Sequence, residues 1–189
     1  MRVLGIDPGT AIVGYSIIEF NEGKYNVLDY GCIYTQKEED MPLRLEKIYD
    51  GLDSLIKLWK PSDMAIEDLF FFKNQKTIVK VGQARGVITL VGQKNGMNIF
   101  SYTPLQVKMG IAGYGKAEKK QVQEMVKLIL GMKEVPKPDD AADALAIGVT
   151  HINSKNSFGG FTRGENLTGK LEKLNSNRIK LEDYKKMIK

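Results

Sequence analysis

Four acidic residues stand where apolar stretches of the chain end, and their types and spacing suit chemistry on a phosphate ester. Asp7 closes the first predicted strand, and Glu67 closes a later one. Asp140 and Asp143 lie three residues apart, which places both carboxylates on one face of a predicted helix near its N-terminus. Oxygen-only ligands suit Mg²⁺ or Mn²⁺. Two such ions roughly 4 Å apart can stabilise the attacking and leaving oxygens of a phosphodiester displacement.

Each carboxylate also has a structural explanation that the sequence leaves open. Asp7 precedes Pro8-Gly9 and suits a turn, and either Asp139 or Asp140 suits a helix N-cap. Asp143 is harder to explain structurally, because it stands among alanines in a core-facing stretch where an unpaired charge would be unfavourable. Three neighbouring acids are assigned helper or solvent-exposed roles: Asp63, Asp68 and Asp139.

The scarcity of other reactive residues narrows the classes of chemistry. The chain of 189 residues has one cysteine, Cys32, and one histidine, His151. This composition excludes an intramolecular disulfide framework and a cysteine-rich zinc site, and it disfavours a histidine metal cluster or a Ser-His triad. Cys32 and His151 are most simply structural, in a strand and near a helix end respectively. Metal-assisted hydrolysis through carboxylates needs neither residue.

The hydropathy pattern predicts a protein without a membrane segment. No apolar run approaches the ~18 residues that a membrane span requires. Met1 leads directly into a strand-like pattern rather than into a signal peptide. We therefore expect a soluble, cytoplasmic protein with no membrane partner.

Charge is distributed in blocks along the chain. Residues 1–68 carry a net charge of −6, residues 69–127 carry +8, residues 128–151 carry −2, and residues 152–189 supply the entire excess of +5. Such an order is typical of a polyanion-binding surface beside an acidic site, although uneven solvated faces would produce it as well. Because the order of charges fits both explanations, sequence motifs are needed to distinguish them.

Hydrophobic periodicity predicts an α/β fold with a mixed five-stranded sheet, in which three antiparallel strands are followed by parallel crossovers and helices flank the sheet. The predicted strands are residues 2–7, 13–20, 25–34, 64–67 and 97–102. The predicted helices are residues 42–59, 74–95, a helix that starts after the N-cap Thr103, 117–130 and 139–152. Residues 1–152 then form one domain. Residues 153–189 form a basic C-terminal extension, with a linker at about 154–164 and an amphipathic helix at about 165–188.

Six motifs together resemble the RuvC family of bacterial Holliday-junction resolvases. They run in one register over roughly residues 1–152, which makes their combination far more specific than any one of them. The motifs are Asp7-Pro8-Gly9-Thr10 followed by Gly14-Tyr15, Ile66-Glu67, Gly82-Gln83-Ala84-Arg85-Gly86, Pro104-Leu105-Gln106-Val107-Lys108, Gly113-Tyr114-Gly115-Lys116-Ala117-Glu118-Lys119, and Asp140-Ala141-Ala142-Asp143-Ala144.

The resemblance implies an RNase H-like fold, a homodimer and a Mg²⁺-dependent endonuclease. Asp7, Glu67, Asp140 and Asp143 occupy the family's catalytic metal-binding positions, with two Mg²⁺ ions expected per site and Mn²⁺ as a substitute. The family reaction is paired, symmetric nicking of opposing strands of a four-way DNA junction in recombination and repair, with water as the nucleophile. It leaves 5′-phosphate and 3′-hydroxyl ends, and the family receives junctions from the RuvA–RuvB branch-migration complex.

The resemblance also implies DNA contacts. Lys108 and Lys119 match family lysines near the scissile phosphate, and Phe70 matches an aromatic that probes the unstacked junction centre. Leu69-Phe70-Phe71-Phe72 departs from the family pattern, so which of the three rings faces DNA stays open. Further backbone contacts are expected from four lysines of the basic block: Lys73, Lys76, Lys116 and Lys120.

Gly82 and Gly86 lie four apart on the predicted helix that forms the family's dimer interface, although packing against the protomer's own sheet would also explain them.

The sequence leaves three other functions to consider. An actin-like kinase would need a second glycine-rich phosphate loop, which this sequence lacks. A nuclease for ribosomal RNA precursors is disfavoured by Phe70 and by the lysines between residues 116 and 120. A non-catalytic junction-binding module would not need four carboxylates.

Overall fold

The computed structural model describes residues 1–68 and 75–157. Five strands form one sheet in the order β3-β2-β1-β4-β5. Their bounds are β1 Arg2–Asp7, β2 Ile12–Asn21, β3 Lys24–Tyr34, β4 Asp63–Glu67 and β5 Asn98–Tyr102. β1 pairs antiparallel with β2, and β2 with β3, whereas β4 lies parallel to both β1 and β5. The mixed sheet predicted from the sequence is confirmed.

Five helices cover the two faces of this sheet: α1 Met41–Trp59, α2 Gln75–Lys94, α3 Pro104–Ala112, α4 Lys119–Ile129 and α5 Asp139–Ser157. On one face, buried side chains of α1 and α2 such as Leu52 and Ile88 form a core with Leu4 and Ile6 of β1. On the other face, buried side chains of α3, α4 and α5 form a second core with Val3. β1 is thus apolar on both faces, as expected for a central strand that alternates its side chains between two helical layers.

Hydrogen bonds between neighbouring residues define where the helix that follows β5 begins. Thr103 accepts a hydrogen bond from the Gln106 backbone N–H (3.2 Å), and the Gln106 side chain accepts one in return from the Thr103 backbone N–H (2.8 Å). This capping box, with Pro104 at the first helical position, confirms the predicted N-cap. α4 starts at Lys119, two residues later than predicted, because Glu118 makes an equivalent capping box with Gln121.

The chain divides into two units, Met1–Ser154 and Lys155–Lys189. α5 continues to Ser157, so the predicted start of the linker at about 154 is wrong: residues 154–157 are helical. The rest of the predicted linker and the predicted helix at about 165–188 lie outside the described residues, and the extension as a separate domain stays a prediction. Among residues 1–68 and 75–157, no helix has the length and apolar character that a membrane span needs.

Candidate active site at the carboxyl ends of the central strands

Two of the four candidate carboxylates emerge side by side because β1 and β4 are parallel neighbours. Ile6 is paired with Ile66, so the next residue on each strand, Asp7 and Glu67, lies at the same edge of the sheet. The chain leaves the sheet at this edge, so the two carboxylates lie at the end of the apolar layers and not in the middle of them. Residues at the carboxyl ends of adjacent parallel strands commonly form sites in this way.

The start of α5 lies against β2, next to Asp7. Gly14 is the β2 residue paired with Asp7, and a Cβ at position 14 would lie 2.0 Å from the Asp140 carbonyl oxygen. Only glycine permits this approach without moving the helix. Ser16 Oγ then donates a hydrogen bond of 2.8 Å to the Ala144 carbonyl. The first turns of α5, which carry Asp140 and Asp143, are therefore held beside the ends of β1 and β2. Because Asp140 lies within the first turn, the N-cap interpretation of this residue is wrong.

Asp143 and Glu67 face a cleft of about 150 Å³ whose polar lining is completed by Lys108 and Lys119. Lys119 Nζ lies 2.8 Å from Asp143 Oδ2 and 3.5 Å from Asp139 Oδ2. The remaining lining is apolar and comes from α3, α4 and α5: Pro104, Val107, Val122, Ala146 and Ile147. The cleft therefore brings two carboxylates and two ammonium groups together over an apolar floor.

The carboxylates hold their protons unusually tightly. Burial, followed by repulsion from Glu67, Asp143 and Asp140, raises the pKa of Asp7 from 3.8 to about 7. Burial and repulsion from Asp143 likewise raise the pKa of Glu67 from 4.5 to about 7. Like charges close together in a partly desolvated place disfavour joint ionisation. Negative charge at the site is thus only partly compensated, which is the electrostatic condition under which a further cation binds.

Lys119 supplies part of the compensating positive charge. Burial raises the pKa of Asp143 even though Lys119 donates a hydrogen bond to it. The pKa of Lys119 is itself raised, because its hydrogen bond to Asp143 and the attraction of Asp143 and Asp139 outweigh the opposing effect of burial. The pair is mutually stabilised, and it leaves Asp7 and Glu67 without an equally close cation in the described part of the chain.

The donor set fits a hard divalent cation, since all four candidate ligands are carboxylates. In the conformation described for residues 1–68 and 75–157, no three acidic, histidine or cysteine side chains are placed so that they enclose one ion. The Lys119 ammonium is bound to Asp143 instead. The residues therefore match Mg²⁺ in chemistry and in charge, whereas the described conformation does not gather three of them around one ion.

The structure separates the predicted DNA-contact residues into groups. Lys108 and Lys119 line the cleft. Lys116 is exposed on the segment that leads into α4. Lys120 is exposed in the first turn of α4 and lines a different depression, formed with Tyr114 and Met125. Phe70 and Lys73 lie outside the described residues, and so does the side chain of Lys76.

Arg85 of α2 is a residue to which the sequence assigned no role. Its guanidinium donates to Asp68 Oδ1 and Ser101 Oγ, each at 2.7 Å, and its Nε lies 3.4 Å from the Glu67 carbonyl oxygen. Arg85 therefore ties the ends of β4 and β5 together where Glu67 emerges. Asp68 is accordingly an ion-pair partner, which fits the helper role assigned to it.

Asp63 differs from its prediction. A helper or solvent-exposed role was expected, but the residue is 2% exposed and its Oδ2 lies 3.2 Å from Nε2 of the fully buried His151. His151 was expected near a helix end, and it lies inside α5 because this helix continues to Ser157. Its structural character is confirmed by its burial. The pairing joins residues 88 positions apart, which no local sequence signal reveals.

Comparison with known proteins decides the family. A model of the crossover junction endodeoxyribonuclease RuvC family matches residues 3–151. The chain belongs to the RuvC family. A RuvC crossover junction endodeoxyribonuclease of Fusobacterium nucleatum is 57% identical over 189 residues, which is the whole of both chains.

Two solved Holliday junction resolvase structures agree with the fold. Thermus thermophilus RuvC, solved in complex with a Holliday junction substrate, matches with a TM-score of 0.77 and 31% identity, over 84% of this chain and 97% of that one. The yeast mitochondrial Holliday junction resolvase matches with a TM-score of 0.64 over 85% and 81% of the two chains, and at 17% identity it supports the fold alone. The RNase H-like resolvase fold implied by the resemblance is confirmed.

Proposed function

We propose that this chain is a structure-selective endonuclease that resolves four-way DNA junctions by paired, symmetric phosphodiester hydrolysis in opposing strands. The observation that carries the proposal is the group of four carboxylates at the ends of β1, β4 and α5, beside a cleft that also contains Lys108 and Lys119. Membership of the RuvC family supports the same activity. The products are 5′-phosphate and 3′-hydroxyl ends, which a ligase can seal.

Asp7, Glu67, Asp140 and Asp143 would hold the metal, with two Mg²⁺ ions per site and Mn²⁺ as a substitute. When bound, such ions activate water as a nucleophile and neutralise charge that develops on the phosphate oxygens. The raised pKa values of Asp7 and Glu67 support this assignment, because an uncompensated cluster of acids favours a cation. Cation binding there would release protons near neutral pH.

The two cleft lysines are suited to hold the scissile strand. Lys119 is 54% exposed at its side chain although it is paired with Asp143, so its ammonium remains accessible to a phosphate oxygen. Lys108 reaches the same cleft from α3. Phosphate contacts of this kind fix the position of DNA without reading its sequence. Outside the cleft, contacts are proposed for Phe70, Lys73, Lys76, Lys116 and Lys120.

A homodimer is proposed through α2. This helix presents exposed apolar side chains at Val79 (62% exposed) and Leu90 (53% exposed), with Gly86 between them on the same face. A Cβ at Gly86 would meet no atom of residues 1–68 and 75–157 within 4 Å. This open surface does not fit packing of Gly86 against the protomer's own sheet, and it favours close approach by a second copy of α2. Two sites related by a two-fold axis would then suit a two-fold symmetric junction.

Two further assignments extend the proposal. The junction is expected to come from the RuvA–RuvB branch-migration complex. Residues 153–189 are proposed to be a basic extension that assists DNA or partner contact, since they hold nine basic and four acidic residues.

The test is cleavage of a synthetic four-way junction beside a linear duplex of the same sequence, with and without Mg²⁺. Paired nicks at symmetric positions, on the junction only and only with Mg²⁺, are expected. Asp7→Asn should still bind the junction but should not nick it. Binding without cleavage by the unaltered protein would favour the non-catalytic junction-binding alternative, and unselective cleavage of the duplex would contradict junction resolution.

A further inference from the structure

A polar cluster centred on the buried pair Asp63 and His151 lies on β4, β5 and α5, and its member Tyr102 is the β5 residue paired with Glu67. Asp63 Oδ1 accepts a hydrogen bond from the Asn98 amide (3.0 Å), and Asp63 Oδ2 lies 3.2 Å from His151 Nε2. On its other side, His151 Nδ1 lies 2.8 Å from the Tyr102 hydroxyl. With Nε2–H donating to the carboxylate, Nδ1 accepts from Tyr102, so one neutral tautomer satisfies both contacts. Phe100 also packs on the imidazole, with ring centroids 4.5 Å apart.

The contact between Asp63 and His151 and the candidate active site lie at different positions along the same two elements. On β4, Asp63 is the first residue and Glu67 is the last, which is a separation of about 13 Å at ~3.3 Å per residue. On α5, Asp143 precedes His151 by eight residues, which is about 12 Å at 1.5 Å per residue. The two spans are nearly equal and run in opposite directions. The hydrogen bond between His151 and Asp63 therefore acts together with the Ser16–Ala144 hydrogen bond on where Asp143 lies relative to Glu67.

The apolar part of this contact is not directional. The α5 face turned to the sheet combines three small residues, Ala141, Ala144 and Gly148, with the fully buried Leu145 and Ile152. Apolar burial of this kind stabilises the contact but depends little on the orientation of the groups. Hydrogen bonds, in contrast, weaken steeply when their distance and angle change. Directional contacts are therefore the parts of this interface that define its register.

We propose that Asp63, His151 and Tyr102 are positioning residues that set the register of α5 on β4, and through it the separation of Asp143 from Glu67. The inference rests on the proposed function, since it assigns these residues an effect on the candidate metal ligands. None of the three lines the cleft. Asp63 and His151 would act through β4 and α5, and Tyr102 through its contact with His151 and its pairing with Glu67 on the neighbouring strand. A purely structural role would lower stability without altering the active site of the folded protein.

The test compares His151→Leu with His151→Gln in the full-length protein, at a temperature where circular dichroism finds both variants folded. Leu52→Ala, a truncation in the core between α1 and the sheet, is the control for general destabilisation, since Leu52 lies on the opposite face of the sheet. Three quantities are measured: the single-turnover nicking rate on a saturating four-way junction with Mg²⁺, the junction Kd without divalent cations, and Mn²⁺ affinity by electron paramagnetic resonance.

For His151→Leu we expect the nicking rate and the Mn²⁺ affinity each to fall by about 10–100-fold. Losses of this size are typical when a residue that orients a metal ligand is replaced. The junction Kd should change less than about twofold, because the lysines of the cleft are unaffected. His151→Gln should recover most of both losses, since its amide can donate to Asp63. Leu52→Ala should keep the wild-type rate despite its lower thermal midpoint.

A folded His151→Leu variant with the wild-type nicking rate and Mn²⁺ affinity would overturn the inference. If this variant does not fold, Tyr102→Phe provides the same test: loss of the hydroxyl that contacts His151 and Ser154 should lower the rate about threefold at constant Kd, and an unchanged rate would overturn the inference. Failure of the wild-type protein to nick the junction would instead contradict the proposed function, so the two failures are distinguishable.

Discussion

Replacing Asp7 by asparagine should stabilise the metal-free protein at alkaline pH. Asp7 is surrounded by three other carboxylates, and in the folded state its pKa is about 7 rather than 3.8. A raised pKa means that the folded protein holds a proton that the unfolded chain has lost. Its contribution to stability is therefore fully present below pH 4 and is lost as pH rises through 7. Asparagine keeps the shape of the side chain and has no proton to lose.

The size of the effect follows from the shift in pKa. Three pKa units correspond to about 4 kcal/mol, which is the upper bound for the gain from Asp7→Asn at pH 8. At pH 5, where folded Asp7 is largely protonated, the same linkage gives less than about 2 kcal/mol. Screening by solvent around the partly exposed neighbours reduces both figures, so we expect a gain of about 1–3 kcal/mol at pH 8. The thermal midpoint should rise by about 2–4 °C per kcal/mol.

The assay is thermal or urea unfolding in EDTA at pH 5 and pH 8. The matched control is Asp139→Asn, on the same helix as two of the other acids and with its side chain 68% exposed. Loss of that charge near the helix N-terminus should be neutral or destabilising by up to about 1 kcal/mol, with no gain as pH rises. An Asp7→Asn variant that is no more stable than wild type at pH 8, or equally stabilised at both pH values, would refute the electrostatic argument.

Three other substitutions and one truncation have definite expected outcomes. Gly14→Ala should destabilise the protein by about 1–3 kcal/mol and lower nicking, because its Cβ would clash with the Asp140 carbonyl; wild-type unfolding and rates would contradict the close approach. Lys119→Ala should weaken junction binding and reduce the slope of log Kd against log salt by about one unit, and an unchanged slope would exclude a phosphate contact. Gly86→Glu should give monomers in analytical ultracentrifugation while the protomer stays folded, whereas an unaltered dimer would move the interface away from α2. Removal of residues 158–189 should leave a folded, active dimer, and loss of folding would contradict the assignment of this segment as an extension.

Much of the fold is predictable from the sequence because apolar periodicity is local. The strand ending at Asp7, the helix ending at Trp59 and the cap at Thr103 are each specified by residues within a few positions of one another. The ends of α4 and α5 are less predictable. The capping box at Glu118 delays α4, and α5 continues through polar residues to Ser157.

Some residues of the candidate site can likewise be predicted from local sequence, and others cannot. Asp7 and Glu67 can be selected because a carboxylate directly after an apolar strand is unusual, and β1–β4 pairing then places them together. The supports of the site cannot be found this way. Gly14 matters through a backbone atom of residue 140, Arg85 through the ends of two strands, and Asp63 through a histidine 88 positions later. These contacts exist only after the helices have packed on the sheet.

The layer order of the fold has a consequence for how such a protein can diverge. The cleft with Lys108 and Lys119 is built on the face covered by α3, α4 and α5, whereas the exposed stripe of α2 belongs to the opposite layer. Under the proposed function, substitutions that alter substrate preference and substitutions that alter self-recognition would fall on separate surfaces, and each surface could change without compensating changes in the other. Arg85 reaches from α2 to the end of β4, so substitutions on the two surfaces would have to remain compatible at this residue.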